Sequence, residues 1–226
     1  SFVIHNVIHM RTIEVRRLKS DSVIPPMAEV SALLDELGEG HAIDTVNWES
    51  HTYRPEVRFN IAWGDREIYI KYYVRETNVK AEKSRTNEMV CEDSCVEFFV
   101  APAEDGIYYN FEFNPIGTAL MGSGHGRHDS VRADETVVNG IRRLTTMGDE
   151  PFSEKRGDIS WSLTLAIPLG AFFHHKVEKL AGKTFRANFY KCGDMLSNPH
   201  YVTWNPVGTE QPDYHRPEYF GELKFI

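Results

Sequence analysis

The sequence predicts an all-β fold, an antiparallel β-sandwich with one or two short helices. Two observations carry this: strict period-two alternation of apolar and polar residues in at least six stretches, and turn-forming pairs such as Gly64-Asp65 and Asp105-Gly106 between them. Only two stretches show helical spacing. With no repeat, low-complexity tract or Gly/Ser linker to mark a boundary, residues 1–226 read as a single domain.

The first helical stretch follows Pro25-Pro26, where Met27, Val30, Leu34 and Leu37 recur at helical intervals before Gly38. The strands come next. Val57, Phe59, Ile61 and Trp63 alternate with Arg58, Asn60 and Ala62; Ile68, Ile70, Tyr72 and Val74 alternate with Tyr69, Lys71, Tyr73 and Arg75. A second helical piece is expected from Ala171 to Leu180, after Pro168 and before Gly182, with His174 and His175 on it. It lies between the strand with Trp161, Leu163, Leu165 and Ile167 on one face and the strand with Phe185, Ala187 and Phe189 on one face. A sandwich buries one face of each sheet. The other is expected to be wet, and here it carries Arg58, Asn60, Lys71, Tyr73, Glu97, Asn110, Glu112, Asn114, Arg186 and Asn188.

Bulk composition removes several function classes. A formal charge of −8 argues against nucleic-acid or anionic-membrane partners, and no apolar stretch approaches the ~18 residues of a membrane span. The opening SFVIHNVIHMRTIEVRR lacks a basic region leading into an apolar core, so no signal peptide is visible. That suits a cytoplasmic protein, or a periplasmic or secreted one whose signal has been removed. Three cysteines without a C-x-x-C read as buried free thiols. Cys91 and Cys95, if both extended, stand about 13 Å apart, too far for a disulfide.

The stretch CEDSCVEFFVAPAEDGIYYNFEFNPIG, residues 91–117, has the chemistry of a site. Alternation puts Glu97 on one face of its strand, and Asn110, Glu112 and Asn114 together on one face of the next. Paired donors and acceptors of this kind, with an aromatic platform, suit sugars, whose hydroxyls come in fixed pairs beside an apolar ring face. Trp204 in HYVTWNP and Tyr214 in PDYHRP are the platform candidates, with His215 beside the second; Trp204 reads equally well as a core residue. If the two runs form a hairpin, Glu97 and Glu112 are cross-strand neighbours with Cβ atoms about 5 Å apart. That admits a glycoside hydrolase, since a retaining enzyme holds its carboxyls roughly 5–5.5 Å apart. It also admits a structural pairing in which one Glu is held by Arg186 or Lys71.

Metal and nucleophile chemistry have thinner support. His125, His128 and Asp129 in GSGHGRHDS could approach an ion, but there is no H-E-x-x-H, closed Cys/His ligand set or G-x-S-x-G. Calcium sites built on oxygens leave little trace in a sequence.

The runs EDSCVEFF, YYNFEFNPIG, WSLTLAIP, ANFYKCGD, PHYVTWNP and PDYHRPEYFGELKF, in this order from about Trp48 to the C-terminus, resemble the family 9 carbohydrate-binding module-like proteins. The resemblance implies a jelly-roll β-sandwich that binds glycans without catalysis, and, in modules attached to xylanases, chain-end recognition and bound calcium. It places the motif glutamate on Glu97, the polar position of the next strand on Asn110 and one stacking aromatic on Tyr214. The second stacking aromatic would fall close to Val90, where this sequence has none. The resulting expectation is a carbohydrate ligand held by a polar sheet face and one aromatic. The alternatives are a glycan-processing enzyme using Glu97 and Glu112, and a sandwich turned to protein interaction.

Overall fold

The structure, a computed structural model, describes residues 9–226. The first eight residues, on which the leader reading partly turns, lie outside the described residues. The chain runs β1 (Thr12–Arg17), α1 (Met27–Asp35), β2 (His41–Ala42), β3 (Thr45–Val46), β4 (Glu56–Trp63), β5 (Glu67–Ala81), β6 (Cys95–Ala101) and β7 (Tyr108–Phe113). It continues with β8 (Ala119–Gly124), β9 (Val131–Arg132), α2 (Glu135–Asn139), β10 (Arg142–Thr145), β11 (Phe152–Pro168), β12 (Thr184–Cys192), β13 (Tyr201–Thr203) and β14 (Gly221–Phe225).

The strands form one curled sheet in the order β10-β11-β5-β4-β1-β14-β12-β6-β7-β8-β9. The sheet is mixed, which corrects the expectation of purely antiparallel pairing. Its centre is β1, whose Thr12–Val15 run parallel to Glu222–Phe225 of β14, while Arg16 and Arg17 run parallel to Ala62 and Trp63 of β4. All other pairings are antiparallel, the longest joining β5 to β11 with two register shifts.

The inward faces of the two arms meet in the main core. Phe59 of β4 stacks on Phe189 of β12 with ring centroids 3.8 Å apart, and Trp204 meets both edge-on. The apolar residues expected on β4, β5, β11 and β12 all point into this cluster. Trp204 is therefore a core residue and not a ligand platform. Its ring occupies the space above Gly221, where a Cβ would come within 2.4 Å of the indole.

The outward faces depart from expectation, because Asn60, Lys71, Glu97, Asn110, Glu112, Asn114 and Asn188 are all buried. On one arm, α1 lies across the sheet and packs Val30 and Leu34 against Ala62, Tyr69 and Ala166. The polar residues there hold the helix. Asn60 donates to the carbonyls of Leu34 and Gly38, and Lys71 pairs with Asp35 at 2.7 Å, beside Tyr73, which hydrogen-bonds the same carboxylate. These contacts satisfy carbonyls that a helix C-terminus leaves open. On the other arm a second apolar cluster, including Trp48, Val90, Tyr190, Val207, Tyr214 and Phe220, covers β6, β7 and β12. The covering segment is anchored by Asn188, which accepts from the amide of Asn205 at 2.8 Å and donates to its carbonyl at 3.0 Å.

The helix at Met27 forms as expected, with Leu37 outside it and exposed. The helix expected over residues 171–180 does not form. A 3₁₀ turn at Leu169–Ala171 is followed by a loop tied down by Tyr109, whose hydroxyl accepts from the amide of His174 and bonds His175 Nδ1 at 2.7 Å. His175 Nε2 also reaches Asp105 at 2.9 Å. The second helix is instead α2, opened by Asp134, whose side chain accepts from the amide of Thr136. Asp-Glu-Thr ahead of two valines, with Gly140 at the end, is the N-cap and stop pattern that marks it in the sequence.

Candidate functional site

Register decides which polar side chains converge. Glu97 of β6 lies directly opposite Glu112 of β7, and Phe99 opposite Asn110. On the far side of β6, Cys95 faces Cys192 of β12. Glu97, Asn110, Glu112 and Cys192 thus share one patch of sheet, and this patch floors a cavity of about 790 Å³. A volume in the range of ordinary small-ligand pockets makes it the leading candidate site.

The walls come from three segments. Residues 209–216 supply Gln211, Asp213, Tyr214, His215 and Arg216; the turn after β8 supplies Arg127 and Ser130, and β9 supplies Arg132; Met89, Cys91, Asp194 and Tyr201 close the remaining side. Arg127 and Arg216 grip Asp213 from both sides at 3.0 and 2.8 Å. Burial would raise the Asp213 carboxyl, but hydrogen bonds from Arg127, the His215 amide and Arg216 outweigh it and hold the group below its ordinary range. Gly122 makes the convergence possible. A Cβ there would lie 2.7 Å from Ser130 Oγ, 3.0 Å from Asn110 Oδ1 and 3.3 Å from Arg132 Nη1.

The floor is electrostatically unusual. Burial, reinforced by the charge of Glu112, pushes the Glu97 carboxyl well above the usual range. Burial also raises Glu112, although the 3.0 Å hydrogen bond from Asn110 Nδ2 opposes the shift. Two carboxyls side by side in a buried floor resist carrying two negative charges, and this favours the protonated form of Glu97. A protonated carboxyl both donates and accepts, as a sugar hydroxyl does. Neither glutamate is held by Arg186 or Lys71. Arg186 donates to the carbonyls of Phe220 and Gly221, and Lys71 is taken by Asp35.

The remaining candidates divide. His215 lines the cavity with Nδ1 2.7 Å from the Tyr108 hydroxyl, and burial, helped by Arg127, lowers it to about 4. Tyr214 lines the cavity but is only 7% exposed. One ring face stacks on Tyr190 at 4.0 Å, and its hydroxyl donates to the carbonyl of Lys191 at 2.9 Å. It is a wall packed into the protein, not the open platform expected. Asn114 is outside the cavity; its amide donates to the Lys83 carbonyl and to Asp93, and its oxygen accepts from the Thr118 amide, so it shapes a turn. Val90 is fully buried, while its neighbour Met89 is 47% exposed and lines the cavity. Arg127, Arg132, Asp194 and Asp213 were not singled out from the sequence. Asp213 and Arg216 stand in the same PDYHRP run as Tyr214, whereas Arg127 and Arg132 belong to loop and edge positions whose direction no alternation reveals.

The expected metal group at His125, His128 and Asp129 reduces to an exposed His125–Asp129 pair 3.1 Å apart. A calcium ion of the kind the resemblance implies can be tested against Asp93, whose buried Oδ1 has no hydrogen-bond partner among the described residues. Its other oxygen accepts from the Lys83 amide and Asn114 Nδ2, and the Lys83 ammonium lies 2.8 Å from the neighbouring Glu92. Calcium needs six to eight oxygens. The groups on Asp93 Oδ2 bring protons and not oxygens, and Glu92 is already paired with Lys83, so this cluster does not fit calcium. Cys91, Cys95 and Cys192 are all free thiols. Cys91 lies in a 3₁₀ turn, Val90–Glu92, so the extended spacing assumed for it does not hold even though no bridge to Cys95 forms.

A curled β-sheet with a polar, carboxyl-floored cavity on one outer face defines a ligand-binding β module. The comparisons make that class specific. The family model described as carbohydrate-binding family 9 matches residues 29–225, and the chain belongs to that family. A candidate carbohydrate-binding protein from Bacteroides uniformis ATCC 8492, solved at 2.70 Å resolution, is 42% identical over 96% of this chain and 100% of its own, with a TM-score of 0.92. Two structures of a family 9 carbohydrate-binding module from Caldicellulosiruptor kristjanssonii share the fold alone. The glucose complex is 14% identical, covers 96% of each chain and has a TM-score of 0.58. The cellotriose complex is 13% identical, covers 95% of this chain and 93% of its own, and has a TM-score of 0.59. No curated protein matches the chain. Among the described residues, no helix is long and apolar enough to cross a membrane.

Proposed function

We propose that this chain binds carbohydrate in the cavity above Glu97, Asn110 and Glu112 and releases it unchanged. The observation that carries the reading is the floor. Strand register aligns two carboxyls and an amide at the base of a cavity of about 790 Å³, in a member of a carbohydrate-binding family. Arg127, Arg132 and Ser130 supply further polar groups around it, and Tyr214, His215 and Met89 supply the less polar walls. The glutamates stand side by side on one sheet face. A hydrolase needs its acid and nucleophile on opposite sides of the scissile bond, so this placement favours recognition over cleavage.

The scaffold for this reading is one cooperative unit, a sandwich of jelly-roll type. Strands from the two ends of the chain, β1 and β14, pair side by side, and Phe59 of one arm stacks on Phe189 of the other. Binding at this floor is taken to need no calcium.

Titration calorimetry against glucose, cellotriose and a panel of other mono- and oligosaccharides tests the reading, with and without calcium. Saturable heat without product release, weakened in a folded Glu97→Gln variant, is the expected result. A panel that yields no binding, or binding indifferent to Glu97→Gln, removes the floor as the site.

A further inference from the structure

Three potential ligand atoms meet beneath the cavity with spacing that a hydrogen-bonded floor does not require. Cys95 and Cys192 are directly opposed across β6 and β12, and Glu97 is two residues along β6 on the same face. Glu97 Oε1 lies 3.1 Å from Cys192 Sγ and 3.6 Å from Cys95 Sγ, and all three atoms fall within 4.8 Å of one another. A tetrahedral zinc ion with bonds of ~2.3 Å to sulfur and ~2.0 Å to a carboxylate oxygen spaces sulfur and oxygen about 3.5 Å apart. The distances of 3.1 and 3.6 Å bracket that value.

We propose that Cys95, Cys192 and Glu97 form a binding site for a zinc-like divalent cation under the cavity floor. Two thiolates and one carboxylate suit a borderline-soft ion and disfavour calcium or magnesium, which take oxygen ligands. The geometry leaves a way in. Glu97 and Cys192 line the cavity while Cys95 lies beneath them, so an ion held by all three keeps its fourth position towards the cavity. Three protein ligands and one open position is the arrangement of zinc sites that exchange a water or ligand. Asp194 stands beside Cys91, Cys192 and Tyr201, whose side chains bond its half-buried carboxyl, and this places a further acceptor at the edge of the site. The Lys191 ammonium, the nearest cation in sequence, is turned away into an ion pair with Glu76 at 2.8 Å. On binding, each thiol and the Glu97 carboxyl gives up its proton to solvent, and no oxidant or reductant takes part. The site rests on the β6–β12 register and stands whether or not the cavity takes a sugar.

Cobalt(II) added to the full chain, kept reduced with a phosphine, reads the site directly. One equivalent should bind with a thiolate-to-cobalt charge-transfer band, and zinc should bleach it. Cys192→Ser should reduce the band and weaken zinc binding about ten-fold or more, as even loss of a group supporting a ligand costs 10–100-fold. Cys91→Ser should leave the band in place. Should Cys192→Ser not fold, alkylation mapping of the parent chain gives the same answer, with zinc protecting Cys95 and Cys192 together. The proposal is overturned by a chain that binds neither cobalt nor zinc, by cobalt binding without a charge-transfer band, by a band undiminished in Cys192→Ser, by a band lost with Cys91→Ser, or by zinc that leaves the alkylation of Cys95 and Cys192 unchanged.

Discussion

Glu97 and Glu112 occupy directly opposed positions on β6 and β7, both closed off from bulk water, and Asn110 donates to only the second of them. Asn110 favours the ionised form of Glu112 and the Cys192 and Cys95 thiols favour that of Glu97, while burial raises both carboxyls. Glu97→Gln keeps the shape but fixes which atom donates. Carbohydrate affinity should fall about ten-fold, since a neutral hydrogen bond carries up to ~1.5 kcal/mol, one to a charged group more, and ~1.4 kcal/mol is one decade. Glu112→Gln should fall similarly, and the double variant should lose less than the sum, because the two groups share one environment. Calorimetry of all three variants checks this.

Gly122 is a test of the cavity that leaves the carboxyls alone. A methyl group at this position collides with Ser130, Asn110 and Arg132 at the side of the floor. Gly122→Ala should weaken ligand binding and, by displacing Ser130, lower the unfolding midpoint modestly. Equal affinity in a folded Gly122→Ala chain would show that the ligand avoids this corner.

Tyr214 is expected to behave as a structural residue. Removing its ring from between Tyr190 and the cavity should cost about 3–5 kcal/mol, the usual range for deleting a large buried aromatic. Tyr214→Phe loses the 2.9 Å bond to the Lys191 carbonyl and a longer one, 3.5 Å, to the Val202 carbonyl, and should cost about 1 kcal/mol. Urea denaturation of both variants separates these; a near-neutral Tyr214→Ala would restore the open-platform view.

The buried group Lys191, Glu76 and His200 supplies a further stability prediction. Lys191 Nζ lies 2.8 Å from Glu76 and 2.7 Å from His200 Nε2, with both members of the Lys–Glu pair fully enclosed. Burial holds His200 neutral, so it accepts from Lys191 while Nδ1–H donates to the Asn198 carbonyl at 3.0 Å. Lys191→Met leaves Glu76 buried without its cation and should cost about 3–5 kcal/mol. Denaturant unfolding should show an early midpoint, and an unchanged one would refute the pairing.

His215 makes part of the protein's acid sensitivity. Its folded value, about 4, lies below the unfolded value near 6.5, so the unfolded chain binds the extra proton first. Stability from keeping His215 neutral is complete above pH 6.5 and declines as pH falls from there to about 4. Across that window the loss approaches about 3 kcal/mol. Thermal melts of the parent and His215→Asn should diverge less at pH 4 than at pH 7. Parallel curves would place the titrating group elsewhere.

The strands were legible in the sequence because alternation is a local property. Val57, Phe59, Ile61 and Trp63 had to share a face whatever their partners, and the core confirms it. Register across the 101–108 turn was nearly as accessible, which is why Glu97 and Glu112 could be paired and the cavity floor anticipated. Alternation alone reports that two faces differ, not what covers either. Helix α1 and the 205–220 segment bury faces expected to be wet, turning Asn60, Lys71 and Asn188 into anchors and Tyr214 into a packed wall. Strand direction escaped for the same reason. The parallel pairing of Thr12–Val15 with Glu222–Phe225 joins positions some two hundred residues apart, and no local period encodes a partner that distant. The meeting of Cys95 with Cys192 is likewise a product of the β6–β12 register. Sequence determined which residues alternate; tertiary structure decided what each face meets, because burial and pairing are set by segments remote along the chain.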